Sequence, residues 1–203
     1  AADYSFTFRT PFCGEEYSKI NEIQGSGLTS LFVGQTKTVE GVVTAYLPGM
    51  DGSYLESVPN DKDADETTSE GIFVYKLNAT PGDIVRVTGS VSEYTGSYGN
   101  TALMTQLGSI SNVEVCGGIG TAPTPITLPI PSDADPNAYL ERYEGMLVSF
   151  EQPLTIQQNY YQGRFGQLTL GVDGRIMNPT NGTGGDYIGN IRRCQRFFKM
   201  SPC

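Results

Sequence analysis

Tyr4, Phe6 and Phe8 alternate with Ser5, Thr7 and Arg9, the two-residue period of a strand with one buried face, and the pattern ends at Pro11 and Cys13. From residue 36 onward, β-branched and aliphatic runs recur between glycine-rich breaks: 36–46 (TKTVEGVVTAY), 71–76 (GIFVYK), 83–93 (DIVRVTGSVSE), 101–107 (TALMTQL) and 110–115 (ISNVEV). Five strands over about eighty residues predict a small closed barrel. Gly41 and Gly89 lie inside those strands, where glycine permits the bulge or tight bend that closes a sheet.

Past the barrel the pattern changes twice. Residues 121–131 (TAPTPITLPIP) hold four prolines, which remove backbone donors and predict an extended connector. A short helix follows, with Asp135 as cap, Pro136 at the first helical position, Tyr139, Leu140 and Tyr143 on one face and Gly145 at the stop. Residues 146–150, 154–158, 166–172 and 175–178 read as further strands, with an Asp173-Gly174 hairpin turn between the last two. The expected organisation is an N-terminal strand and lead-in (1–35), a barrel (36–116), a proline-rich connector (117–138), a second, smaller β subregion (139–181) and a basic tail (182–203).

Composition narrows the chemistry. The 203 residues include 25 glycines and 12 prolines, which suits a turn-rich all-β protein. There is no histidine. Ser-His-Asp and Cys-His nucleophiles, histidine acid/base catalysis and the usual zinc sites are therefore excluded. No apolar run has the length of a membrane helix, so no membrane insertion is expected. The net charge is −9, yet the last thirteen residues carry Arg192, Arg193, Arg196 and Lys199 and no acid. Cys13, Cys116, Cys194 and Cys203 form an even set without a C-x-x-C motif, which favours disulfides and an oxidising compartment over a metal cluster. Of the three connectivities, Cys13–Cys116 with Cys194–Cys203 is expected: the first staples the lead-in to the end of the last barrel strand, the second closes a short loop.

The order of motifs carries a resemblance: KINEIQGSG (19–27), VGQTKTVEGVV (33–43), TSEGIFVY (68–75), GDIVRVTGSVSEY (82–94), LERYEGMLVSF (140–150), GRFGQLTL (163–170) and GRIMNPTN (174–181). This set resembles the OB-fold-like accessory region of secreted bacterial nucleases of the endonuclease/exonuclease/phosphatase superfamily. The resemblance implies an extracellular or secreted protein with an OB-like five-stranded barrel, with nucleic acid as its ligand. It gives no catalytic residue, because the family's histidine-bearing catalytic domain has no counterpart in these 203 residues. Paired acids such as Glu15/Glu16, Asp133/Asp135 and Glu141/Glu144 are common by chance among 22 acids, so no enzyme activity is expected.

Two further groups of residues suggest ligands. Asp61, Asp63 and Asp65 alternate along one loop, with Glu70 just before the next strand, and such carboxylates can converge on calcium, which takes six to eight oxygens in loose geometry. An EF-hand is excluded, because its sixth position would be Glu66 and its twelfth Ile72. The expectation is a structural calcium loop. Tyr160, Tyr161, Arg164 and Phe165 combine stacking rings with a cation, as single-stranded nucleic-acid sites do, and Tyr94 and Tyr98 flank a glycine-rich loop. Arg192 and Arg193 of the tail would meet phosphate. The expected function is thus a secreted, non-catalytic, calcium-stabilised binding module for single-stranded nucleic acid. The alternative is a structural subunit that self-assembles into a filament, with Tyr4, Phe6 and Phe8 added as a strand to a neighbouring copy.

Overall fold

The computed structural model describes residues 13–95, 103–118, 126–128, 136–171 and 198–200. Its centre is a closed five-stranded barrel with strand order β1-β2-β3-β5-β4, formed by β1 (Thr36–Leu47), β2 (Gly52–Ser57), β3 (Gly71–Tyr75), β4 (Asp83–Tyr94) and β5 (Met104–Gly118). All neighbours run antiparallel except β3 and β5. This is the OB-like barrel that the sequence predicts, closed by the short parallel pairing of β3 with β5. Val39, Val43, Leu55, Ile72, Val74, Val85, Val87, Val91 and Leu107 fill it. Each such aliphatic side chain contributes about 1.5–3 kcal/mol on burial.

The strand count agrees with expectation, but two boundaries do not. β2 has no counterpart among the predicted strands. Its inward residues are Ser53, Leu55 and Ser57, so a single aliphatic marks the core face, and Ser53 is satisfied by donating its hydroxyl to the Leu77 carbonyl at 2.8 Å. The two predicted strands at 101–107 and 110–115 are instead one, β5, which continues through Gly108 and Ser109 with Ser109 at φ 45°. The register against β4 shifts there, from Thr88↔Asn112 to Ser90↔Gly108, opposite Gly89. A Cβ on Gly89 would lie 2.8 Å from the Gly108 carbonyl oxygen, so the glycine makes room for the bulge.

One end of the barrel is plugged from ahead of β1. The helix α1 (Ile20–Gln24) inserts Ile20 and Ile23, both fully buried, into the core. The lead-in before it is fastened to the barrel's outer surface. Cys13 and Cys116 form a disulfide with Cα atoms 5.5 Å apart. Arg86 of β4 forms a buried ion pair with its register partner Glu40 of β1 at 2.7 Å, and its guanidinium also donates to the carbonyls of Glu15 and Glu16 at 3.0 and 2.9 Å.

Beyond the barrel lie the predicted helix, α2 (Pro136–Glu141), and two small sheets. β6 (Ile126–Leu128) pairs in parallel with β7 (Val148–Phe150), while β8 (Thr155–Gln158), β9 (Leu168–Gly171) and β10 (Phe198–Met200) form a three-stranded sheet in the order β10-β9-β8. A further short helix, α3 (Gln162–Phe165), follows β8. The helix at 136–141 is therefore one of three short helices among the described residues, where the sequence predicted it alone. The expected strand at 175–178 and its Asp173-Gly174 turn lie outside the described residues.

Candidate binding surfaces of the barrel

Barrels of this kind bind oligonucleotides and oligosaccharides through the outer face of strands 2 and 3 and through the loops joining strands 1–2 and 4–5. Here the outer face of β2 and β3 is made by Gly52, Tyr54 and Glu56 opposite Tyr75, Phe73 and Gly71. Tyr54 and Phe73 pack ring to ring at 4.9 Å. Phe73 is nonetheless only 2% exposed, and Glu56 is equally buried. The chain's own segment 140–147, in the motif LERYEGML, covers the Glu56–Gly71 end of this face, while Tyr75 at the other end is exposed.

Each contact of that cover is specific. Ser69 donates its hydroxyl to the Glu144 carbonyl at 2.6 Å, and the Leu147 amide donates to Oε1 of Glu56 at 2.6 Å. Gly145, at φ 72°, lies directly on Gly71, where a Cβ would come within 2.3 Å of the Gly145 carbonyl carbon. Only glycine fits at Gly71. The Glu144 carboxyl enters beneath the cover, and its Oε1 accepts from the Thr105 amide at 2.8 Å and from Nε2 of Gln24 at 3.4 Å. Burial first, then the neighbouring Glu141 and Glu93, pushes Glu144 up to about 8. Glu56 and Glu141 are also raised, chiefly by burial. Burial together with Glu144 raises the Tyr54 phenol as well. The Glu56–Gly71 end of this face is thus closed, with Glu144 and Glu56 beneath the cover and Lys62 paired to Glu56 at 3.7 Å.

The β1–β2 connection is open and differently furnished. A 3-10 turn, Pro48–Met50, joins the strands, and α3 lies against it, with the Phe165 backbone 2.7 Å from where a Cβ on Gly49 would be. Gln167 donates to Sδ of Met50 at 3.1 Å. On this base sit the predicted aromatics: Tyr160 and Tyr161 meet edge to face at 5.0 Å, Tyr161 and Phe165 lie at 5.9 Å, and the Arg164 guanidinium stacks over Phe165 at 5.0 Å. Tyr160 is 76% exposed. The structure therefore brings Tyr160, Tyr161, Arg164 and Phe165 together at one end of the barrel. Tyr94, at the start of the β4–β5 connection, is also exposed.

The acidic loop is held by its own hydrogen bonds. Asp61 accepts from the Tyr17 hydroxyl at 2.6 Å, and partial burial followed by that bond pushes Tyr17 up to about 12. Asp63 accepts from the Asp65 amide and from the Thr68 hydroxyl, while Asp65 accepts from the Thr67 amide and hydroxyl, which lowers its titration. Glu70 accepts from Nδ2 of Asn21 at 3.1 Å and from the Asp63 amide at 2.9 Å. Among the described residues, no three of these carboxylates come within 4.8 Å of one another. In this arrangement they do not form a cation cage. The loop and the 140–147 segment instead bound an open cavity of about 420 Å³, lined by Lys62, Glu70, Arg142, Tyr143 and Met146 among others.

Tyr4, Phe6, Phe8, Tyr98, Arg192, Arg193, Cys194 and Cys203 lie outside the described residues. The sequence reading missed Gln24, Glu56, Glu93 and Thr105 as partners of the cover. Its only trace of that cluster was the spacing of Glu141 and Glu144.

No family model matches the sequence, and no curated protein matches it. Among solved structures, mitochondrial single-stranded DNA-binding protein Rim1 from S. cerevisiae matches 42% of this chain and 97% of its own length, with TM-score 0.29 and 12% identity. Aspartyl tRNA synthetase from Entamoeba histolytica matches 56% of this chain, with TM-score 0.33 and 17% identity. The match spans 24% of the synthetase's length. Likenesses this distant carry no argument about function.

Proposed function

We propose that this chain is a non-catalytic OB-fold module of a secreted nuclease-like protein, and that it takes single-stranded nucleic acid on Tyr160, Tyr161, Arg164 and Phe165. One observation carries the reading: a row of rings with a stacked guanidinium is mounted on the β1–β2 connection, while the Glu56–Gly71 end of the β2–β3 face is covered. Exposed bases can stack on Tyr160 as Arg164 meets phosphate, and Arg192 and Arg193 of the tail belong to the same proposal. The body's negative charge makes this a weak, salt-sensitive contact. Anisotropy titration of a labelled single-stranded DNA, with its duplex as control, tests it. Single strands should bind better, affinity should fall with salt, and Tyr160→Ala or Arg164→Ala should each weaken binding about tenfold, within the range for one stacked base. Absence of binding at low salt would overturn the reading.

Calcium at Asp61, Asp63, Asp65 and Glu70 belongs to the same proposal only through loop rearrangement, since the ion would have to replace the Tyr17, Thr67, Thr68 and Asn21 hydrogen bonds. A melting temperature that rises on adding calcium and falls on chelation would support it; coincident melting curves would leave the loop to its own hydrogen bonds.

A second reading, self-assembly by strand addition, is favoured by the far half of β5. Beyond Gly108 this strand pairs only with β4 among the described residues, and Val113 and Val115 are exposed on it at 45% and 62%. The Tyr4, Phe6 and Phe8 segment of a second copy is the proposed occupant. Deleting residues 1–10 should then abolish any polymer seen by light scattering, and a full chain that stays monomeric at high concentration would exclude it.

A further inference from the structure

We propose that residues 140–147 form a pH-gated latch, in which protonated Glu144 seals the Glu56–Gly71 end of the outer face of β2 and β3 and its deprotonation beside Glu141 and Glu93 releases the segment. The inference rests on the hydrogen bonds that hold the cover and on the acids beside Glu144, and stands whether or not nucleic acid binds. Glu144 is approached by Gln24 from α1, Tyr54 from β2, Glu93 from β4 and Thr105 from β5, with Glu141 preceding it on its own segment. The charged groups acting on it are both acids. Glu93 is itself held in place, accepting from the Ser30 amide at 2.8 Å and from the Thr105 hydroxyl at 3.1 Å. Thr105 thus links two of the acids, giving one N–H to Glu144 and its hydroxyl to Glu93.

Both donors to Glu144 reach Oε1, so Oε2 is the atom that carries the proton. A neutral carboxylic acid there accepts two N–H groups without bringing a further negative charge under the cover. Once ionised, it is a buried carboxylate facing like charges, a state whose cost falls as the segment lifts into water. Lifting also breaks the Ser69–Glu144 and Leu147–Glu56 bonds and separates Gly145 from Gly71, because all three contacts flank Glu144 within four residues. The opened end of the face would present Glu56 and Gly71 to solvent. The cluster titrates as a coupled set, so the release follows the removal of the proton it shares.

Two amides report the latch directly, because each donates to a side chain across the seam: Thr105 to Glu144 and Leu147 to Glu56. Hydrogen exchange should be followed at pH 6.5 and pH 9 and corrected for the intrinsic rate. The latch predicts that protection of both amides drops about tenfold or more at the higher pH, while amides of β1 hold. In Glu144→Gln, which keeps an oxygen acceptor and cannot ionise, protection should persist at pH 9. Protection that is constant across this range in the wild type, or lost equally in the variant, would overturn the proposal. Should Glu144→Gln fail to fold, carboxyl-carbon NMR of the wild type decides: titration of Glu144 well above the usual glutamate range supports the latch, and titration within that range refutes it.

Discussion

Two peripheral segments are fastened to the outside of the same barrel, and they are fastened by opposite means. The lead-in at 13–18 is held by a disulfide and by Arg86, whose guanidinium satisfies Glu40 and two backbone carbonyls at once. The cover at 140–147 is held by hydrogen bonds to Ser69, Thr105 and Glu56, the last paired to Lys62 at 3.7 Å, while Glu144 itself lies beside Glu141 and Glu93. A buried charge needs either a partner or a proton. The first seam supplies Glu40 with a partner; at the second, Glu56 has Lys62, and the proposed latch has Glu144 take a proton from solvent. Similar contact geometry therefore yields one permanent joint and one conditional one.

Removing the partner from the first seam should have the largest effect. Arg86→Ala leaves Glu40 buried without its cation and should cost about 4 kcal/mol, read from urea unfolding. A cost below about 1 kcal/mol would mean that the two seams do not differ in the way described. Breaking the covalent part comes next. Cys116→Ser opens a link spanning 103 residues and should cost about 3 kcal/mol, with the melting temperature falling in step.

The second seam responds to pH. Glu144 is raised in the folded state from 4.5 to about 8, so its contribution is whole below pH 4.5 and is lost as the pH rises through 8. On the order of 2 kcal/mol should disappear across that window, discounted for the coupling among the three acids. Glu144→Gln should flatten the profile, whereas Arg86→Ala should lower it. The smallest effect is steric: Gly71→Ala forces the cover away from β3 and should cost about 1–2 kcal/mol, with the loss of protection confined to residues 140–150. Equal loss throughout the barrel would show that the cover is part of the core and not a separable segment.

How much of this was legible varied with the kind of signal. β1 and β4 are long and rich in valine, and their inward residues alternate, so they could be read directly. β2 could not, because Glu56 is buried under the cover and Tyr54 is half-buried, while Ser53 and Leu55 are buried in the core, which erases the polar–apolar alternation. β5 was divided at Gly108-Ser109 because a bulge and a turn have the same local chemistry. The aromatic cluster was legible, since Tyr160 to Phe165 are neighbours in sequence and face one another across a single turn. The acid cluster was not, for it joins residue 144 to residues 24, 93 and 105.

The sequence by itself determined the class of fold, the absence of histidine chemistry, and the pairing of ring and guanidinium at residues 160–165, because these depend on composition and on residues close in the chain. Tertiary structure alone decided that the Glu56–Gly71 end of the β2–β3 face is covered, that the Asp61–Glu70 carboxylates turn to Tyr17, Asn21 and the loop itself, and that Glu144 lies beside Glu141 and Glu93. Those outcomes depend on which distant side chains share a volume from which water is excluded. An acid in a sequence shows its charge in water; whether it keeps that charge depends on its neighbours in the folded protein.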